Sequence, residues 1–309
     1  MHSLLKAAIT GDVRALGKAL SVIEDGTPEL TELLSGMPDA GSALLIGVTG
    51  PPGVGKSTTT GALISEYRNQ DLRVAVLAVD PSSPVTGGAL LGDRIRMQEH
   101  ALDEGVFIRS MSSRGQLGGL SNATLAATRV LDAVGFDVII VETVGVGQSE
   151  VDVVNTVDTV VLVLAPGAGD GVQAAKAGIL EIADVYVVNK ADREGAEGVV
   201  RELRSMIGLG TATSNSWVPE IVTTVATTGQ GLADLVLAIS KHHEWAVSSG
   251  DRAARAVERA RLNLRRAVLN SVNERLDLTA TNLNSLSSRV ASGELSTELA
   301  VQQILQDLS

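Results

Sequence analysis

Seven uninterrupted apolar runs, at 44–48, 74–79, 106–108, 138–141, 159–164, 185–188 and 221–225, recur between residues 41 and 247 with helical stretches between them. None alternates apolar with polar, so each reads as a strand buried on both faces. Parallel strands need long crossovers, and helices supply them here. The pattern predicts an α/β fold: a doubly wound, mostly parallel sheet with helices on both sides. Aromatic residues make up only 2% of the chain, so the core has to be built from Val, Leu, Ile and Ala. In sheets of this kind ligands bind beyond the carboxyl ends of the strands, which directs attention to the residues after each run.

The 309 residues extend past this core at both ends. Leu4, Leu5, Ala8 and Ile9, then Val13, Leu16, Leu20 and Ile23, follow helical spacing, with Asp12 placed to cap the second helix. Pro28, Gly36, Pro38 and Gly41 punctuate a linker. From Asp251 onward the chain is rich in Arg, Ala, Leu and Glu and reads as helical. The expected organisation is an N-terminal helical extension over 1–40, an α/β domain over 41–247 and a C-terminal helical segment over 248–309. Arg252, Arg255, Arg259, Arg261, Arg265 and Arg266 read as a solvated helix face or an interface rim, and the adjacent His242 and His243 as a helix surface.

The most informative segment follows the first run. Gly50-Pro51-Pro52-Gly53-Val54-Gly55-Lys56-Ser57, continuing into Thr58, fits the phosphate-binding loop G-x-x-x-x-G-K-[ST] between a strand and a helix. Glycines let successive backbone N–H groups face a phosphate, and the helix N-terminus adds positive potential. Lys56 is expected to reach the β- and γ-phosphates, and the Ser57 hydroxyl to bind Mg²⁺. After the run at 185–188 stands Asn189-Lys190-Ala191-Asp192. The Asp192 carboxylate can accept from both N1–H and the exocyclic amine of guanine, a donor pair that adenine lacks. Asn189 can support that edge and tie loops together, and the Lys190 stem can lie over the ring. GTP and GDP are therefore expected in preference to ATP. Ala226 and Thr227, after the last run, stand where another loop can touch the base.

Carboxylates at strand ends supply the metal chemistry. Glu142 opens Glu142-Thr143-Val144-Gly145, an acidic-x-x-Gly element whose glycine amide, that of Gly145, senses a γ-phosphate; its carboxylate can reach Mg²⁺ directly or through water. Asp80 follows the second run, and Asp93 lies in Gly92-Asp93-Arg94; both are candidates for Mg²⁺ or water positioning. Val146 stands where many regulatory GTPases carry a water-orienting Gln, so slow intrinsic hydrolysis is expected. Lys176, after the glycine-rich run 167–171, is a candidate nucleotide-responsive switch residue.

Composition removes other classes. With 25 Lys+Arg against 36 Asp+Glu the net charge is -11, which disfavours nucleic acid as a partner. The chain has no cysteine, which excludes disulfides, iron–sulfur clusters and a thiol nucleophile. It also leaves only four His for a nickel-delivering GTPase, one alternative reading; a P-loop small-molecule kinase or transport ATPase is the other. No leader or membrane span is legible, and a cytoplasmic protein is expected.

The phosphate loop, Val79-Asp80-Pro81-Ser82-Ser83, the run from Gly87 to Arg94, Arg114-Gly115-Gln116-Leu117-Gly118-Gly119-Leu120, Glu142 to Gln148 and Asn189 to Asp192 together resemble the MeaB/ArgK family of methylmalonyl-CoA mutase-associated GTPases. The resemblance implies a Mg²⁺-dependent, homodimeric GTPase with a P-loop G domain, an N-terminal helical extension and a C-terminal dimerisation arm. It implies a chaperone role toward an adenosylcobalamin-dependent acyl-CoA mutase, gating cofactor loading and protecting the mutase from inactivation. Carried onto this chain, Lys56 and Ser57 bind phosphate and Mg²⁺, while Asp80, Asp93 and Glu142 serve the metal and the hydrolytic water. Asn189 and Asp192 read guanine, and the loop around Asp170 to Lys176 is the switch toward the mutase.

Overall fold

The computed structural model describes residues 1–27, 29–38, 41–80, 99–100, 102–112, 122–143, 156–167, 180–209, 216–278 and 280–308. Each apolar run forms a strand: β1 (Leu44–Thr49), β2 (Val74–Asp80), β3 (Val106–Ser112), β4 (Val138–Thr143), β5 (Thr159–Leu164), β6 (Val185–Asn189) and β7 (Glu220–Thr224). They make one sheet in the order β3-β2-β4-β1-β5-β6-β7. Every strand pairing in it is parallel. The chain moves outward from β1 to β2 and β3, returns to β4, then crosses to β5 on the other flank of β1. That reversal leaves a crevice at the carboxyl end of β1, between β4 and β5.

Both faces are covered, which is why the runs do not alternate. On one face Val74 and Val76 of β2 belong to a buried cluster with Leu63 and Ile64 of α4 (Lys56–Arg68), which also takes in Leu235 and Ile239 of the helix Leu232–Ser249. The intervening residues, Ala75 and Leu77, point the other way. There they meet Leu5 of α1 (Ser3–Ile9), Leu16 and Leu20 of α2 (Val13–Asp25), Leu33 of α3 (Leu30–Ser35), and Val130 and Leu131 of α5 (Asn122–Ala133). Leu5, Leu20 and Leu33 have no exposed surface, so the N-terminal helices are part of the core. Each such leucine contributes about 1.5–3 kcal/mol. Farther along, Leu162, Tyr186 and Val188 bury Val199 and Leu203 of α6 (Ala196–Leu209).

Local chemistry sets the helix ends. Asp12 Oδ1 accepts from the N–H groups of Arg14 (2.8 Å) and Ala15 (3.1 Å) and starts α2, and the left-handed Gly26 ends it. β3 runs past the expected 106–108 because Arg109 has a buried use. Its guanidinium donates to the Gly17 carbonyl, Ser21 Oγ and Glu24 Oε2, pinning α2 across the end of the sheet. After α7 (Leu232–Ser249) come α8 (Asp251–Leu278), α9 (Ala280–Ala291) and α10 (Thr297–Leu308). Two compact units result, Met1–Ala256 and Val257–Ser309. No helix among the described residues is long and apolar enough to cross a membrane.

Candidate functional site

The phosphate-loop motif occupies the crevice. Gly50 leaves β1 with φ +141°, and a Cβ there would collide with the Val163 carbonyl of β5, so the turn admits only glycine. Gly55, at φ +99°, is the cap from which α4 begins, and Lys56, Ser57 and Thr58 form the first turn of that helix. Lys56 is buried. Its ammonium curls back over the loop and donates to the carbonyls of Gly50 (2.8 Å) and Pro51 (3.1 Å). Pro52 and Gly53 are exposed on the outer bend of the loop, while Val54 is fully buried beneath it.

Glu142 comes to this loop by strand register. β4 lies beside β1 with Glu142 opposite Val48, and Ser57 Oγ donates to Glu142 Oε1 at 2.6 Å. Both side chains are buried, so a carboxylate and a hydroxyl meet at the start of α4 in a site of oxygen donors. One residue on, the Thr143 hydroxyl donates to Thr49 Oγ1 across the same strand pair. The backbone of Asp80 ends β2, the other neighbour of β4. Its side chain lies outside the described residues, as do Asp93, Gly145 and Lys176.

The guanine-type motif reaches the phosphate loop from the other flank. Asn189 ends β6, is nearly fully buried, and uses both ends of its amide. Nδ2 donates to the Val54 carbonyl at 2.9 Å, while Oδ1 accepts from Thr224 Oγ1 (3.2 Å) and from the Ala226 N–H (3.1 Å). One side chain thus ties the phosphate loop to the end of β7 and to the loop beyond it. A Cβ on Gly55 would strike this same amide, which explains the second glycine. Lys190 takes a left-handed φ of 57° and donates from Nζ to the Gly53 carbonyl. Asp192 and Thr227 are exposed, and Ala226 is buried. The structure therefore joins Gly50 to Thr58, Glu142, Asn189, Lys190 and Ala226 through direct contacts.

A second polar cluster, at the amino ends of β5 and β6, carried no motif. Asp184, buried just before β6, accepts from the Val160 N–H (2.8 Å) and from both terminal nitrogens of Arg255 (3.0 and 2.9 Å). His242 Nε2 lies 3.2 Å from Asp184 Oδ1, and Thr159 Oγ1 lies 2.8 Å from His242 Nδ1. Burial pushes the Asp184 carboxyl upward, but its contacts with His242 and Arg255 outweigh that and hold it below the ordinary range. His242 is 0% exposed, which corrects the expectation of a surface histidine pair. Arg252 pairs with the buried Asp158 at 3.0 Å, so the first two arginines of the basic stripe are ion-paired inward and are not a solvated face. The partners stand far apart in sequence, and only the apolar flanks of Asp158 and Asp184 hinted at buried carboxylates.

Relatives of known sequence and structure agree with this geometry. The chain is 45% identical to a protein of Pyrococcus horikoshii over 311 residues, spanning 100% of this chain and 98% of that one. It is 37% identical to the GTPase ArgK of Escherichia coli, with 94% of each covered. A crystal structure described as LAO/AO transport system kinase superposes with a TM-score of 0.70 at 29% identity, covering 99% of this chain and 96% of that one. The family model described as methylmalonyl Co-A mutase-associated GTPase MeaB matches residues 16–281. With a phosphate loop and a guanine-type motif joined at the carboxyl edge of a parallel sheet, the chain belongs to the MeaB family of P-loop GTPases.

Proposed function

We propose that this protein is a GTP-hydrolysing chaperone of an adenosylcobalamin-dependent acyl-CoA mutase, methylmalonyl-CoA mutase or a close relative. The observation that carries the nucleotide chemistry is the Asn189 bridge, which holds the phosphate loop and the base-side loops as one unit. The family's name carries the mutase. Lys56 and the amides of Gly53 to Thr58 bind the β- and γ-phosphates. Asp192 accepts from guanine, Lys190 covers the ring, and Ala226 and Thr227 border it. The Ser57 hydroxyl and the Glu142 carboxylate form a set of hard oxygen donors suited to Mg²⁺, with Asp80 and Asp93 completing the metal and water shell. When bound, the ion neutralises charge building on the transferred phosphoryl group. Gly145 senses the γ-phosphate, and Lys176 relays nucleotide state to the mutase.

The protein acts as a homodimer through its C-terminal unit, within an organisation of helical extension (1–40), G domain (41–247) and dimerisation arm (248–309). Among the described residues of Val257–Ser309 only Leu286 and Ala300 are buried hydrophobics, while Leu264, Val268, Leu299 and Leu305 are more than half exposed. A helical unit with so small a core needs a partner surface, and a second copy supplies a self-complementary one. Its site of action is the cytoplasm.

The test has two arms. Asp192→Asn should weaken GTP binding far more than xanthosine triphosphate binding; equal losses remove the base-reading role. Mutase mixed with the protein in GDP and GTP should co-elute in a nucleotide-dependent manner and lose activity more slowly during turnover. Absence of a complex in every nucleotide state refutes the chaperone role while leaving the nucleotide site intact.

A further inference from the structure

The chain's two tryptophans stand together, at the opposite edge of the sheet from the phosphate loop. Trp217 precedes β7 and Trp245 lies on α7, with ring centroids 5.6 Å apart and the buried His242 ring against both, at 5.0 and 5.8 Å. The indole N–H of Trp217 donates to the Asp184 carbonyl at 2.7 Å, which fixes that ring. Both indoles are half-buried and line an open groove of about 760 Å³ within the first unit. That volume is within the range of small-molecule and side-chain pockets.

The charge of the groove selects a cation. Its lining has the carboxylates of Glu181, Asp184 and Asp251 against the single guanidinium of Arg255. Arg255 is spent. Its terminal nitrogens go to Asp184 and its Nε lies 2.6 Å from Asp251, so its charge is already matched by two carboxylates. Glu181 is exposed and has no ion-pair partner among the described residues. An aromatic platform beside an unmatched carboxylate favours a planar, weakly hydrated cation over a compact ammonium. Ile182 and Pro219 add an apolar wall next to it.

We infer that this groove is a docking site for an arginine side chain carried, with an aliphatic neighbour, on a peptide segment of a partner protein. The guanidinium stacks on the Trp217–Trp245 platform and pairs with Glu181, and the neighbour packs on Ile182 and Pro219. The site is independent of the nucleotide chemistry, and its test needs no nucleotide.

Because the chain has no other tryptophan, intrinsic emission of the full-length protein reports on this groove directly. The probes are the capped tripeptides acetyl-Leu-Arg-Leu-amide and acetyl-Leu-Gln-Leu-amide, titrated at low salt. The expected result is a saturable emission change with the arginine peptide, and binding about tenfold weaker with the glutamine peptide. Added salt should narrow that difference. Glu181→Gln, an exposed substitution that leaves the core untouched, should remove most of the preference, and Trp245→Leu should weaken the arginine peptide with Trp217 still reporting. Equal responses to both peptides, no saturable response to either, or full preference retained in Glu181→Gln would each overturn the assignment.

Discussion

Replacing Asn189 by Asp exchanges one NH₂ for an oxygen at the junction of the phosphate loop and the base-side loops. The two bonds accepted by Oδ1, from Thr224 and Ala226, can survive. The bond donated to Val54, 2.9 Å long, cannot, because an ionised carboxylate has no proton and would face a carbonyl oxygen. A lost neutral hydrogen bond costs about 1 kcal/mol, and leaving a buried acceptor unsatisfied adds about 1–3 kcal/mol. The total is about 2–4 kcal/mol, or roughly 30- to 1,000-fold in an equilibrium constant. The phosphate loop can swing away from Asn189 without dismantling the sheet, so little of this is lost from global stability. Bound nucleotide has to restore the closed arrangement, so most of it is lost from affinity. Titration with a fluorescent GTP analogue at pH 8, beside a urea unfolding curve, separates the two. Burial and the facing carbonyl raise the pKa of the introduced carboxyl, so its protonated form can donate to Val54 again, and affinity should partly recover toward pH 5.5. Asn189→Ala should show no such recovery. Affinity within about threefold of the native protein at pH 8 would refute the clamp.

Other substitutions probe the rest of the framework. Asp184→Ala removes the carboxylate that holds Arg255, His242 and the Val160 N–H, and should cost about 3 kcal/mol in urea unfolding; a cost under about 0.5 kcal/mol contradicts the buried cluster. Because this carboxyl is held below its ordinary range, its contribution is present above the unfolded value of about 4 and is lost as pH falls through the folded value. The stability gap between the native protein and Asp184→Asn should therefore be full at pH 7 and shrink below about pH 4. Gly50→Ala should abolish tight nucleotide binding, since the new methyl meets the Val163 backbone and cannot be relieved by a rotamer change; retained binding in an equilibrium dialysis assay would mean the loop has another course.

The sheet was legible because strands buried on both faces must be continuous apolar runs, and 159–164 matches β5 residue for residue. The apolar run for β3 stops at 108 because the second half of the strand carries Arg109, Ser110 and Ser112, and the partners of Arg109 on α2 are distant in sequence. The phosphate loop was legible from its glycines, since only glycine fits beneath Val163 and Asn189. Asn189 was read as supporting guanine and tying loops, and the second role is what its contacts express. The Asp184, His242 and Arg255 cluster was not legible. Its members lie on three elements 58 and 13 residues apart in sequence, and a buried carboxylate before a strand looks, in sequence, like a turn acid.

The floor under Gly50 is the carbonyl of Val163, and the brace behind Val54 runs through Asn189 to Ala226. During synthesis, then, the glycine loop is complete as text long before it can exist as a shape. A chain that stops short of β7 lacks the brace, however well its first strands have paired. Nucleotide bound only by the finished arrangement would stabilise it by RT ln(1 + [L]/Kd), about 2.7 kcal/mol at a hundredfold excess over Kd. Truncated or mispaired products would gain nothing. The same ligand that the site turns over also selects, by mass action, the copies whose carboxyl half has closed on the loop.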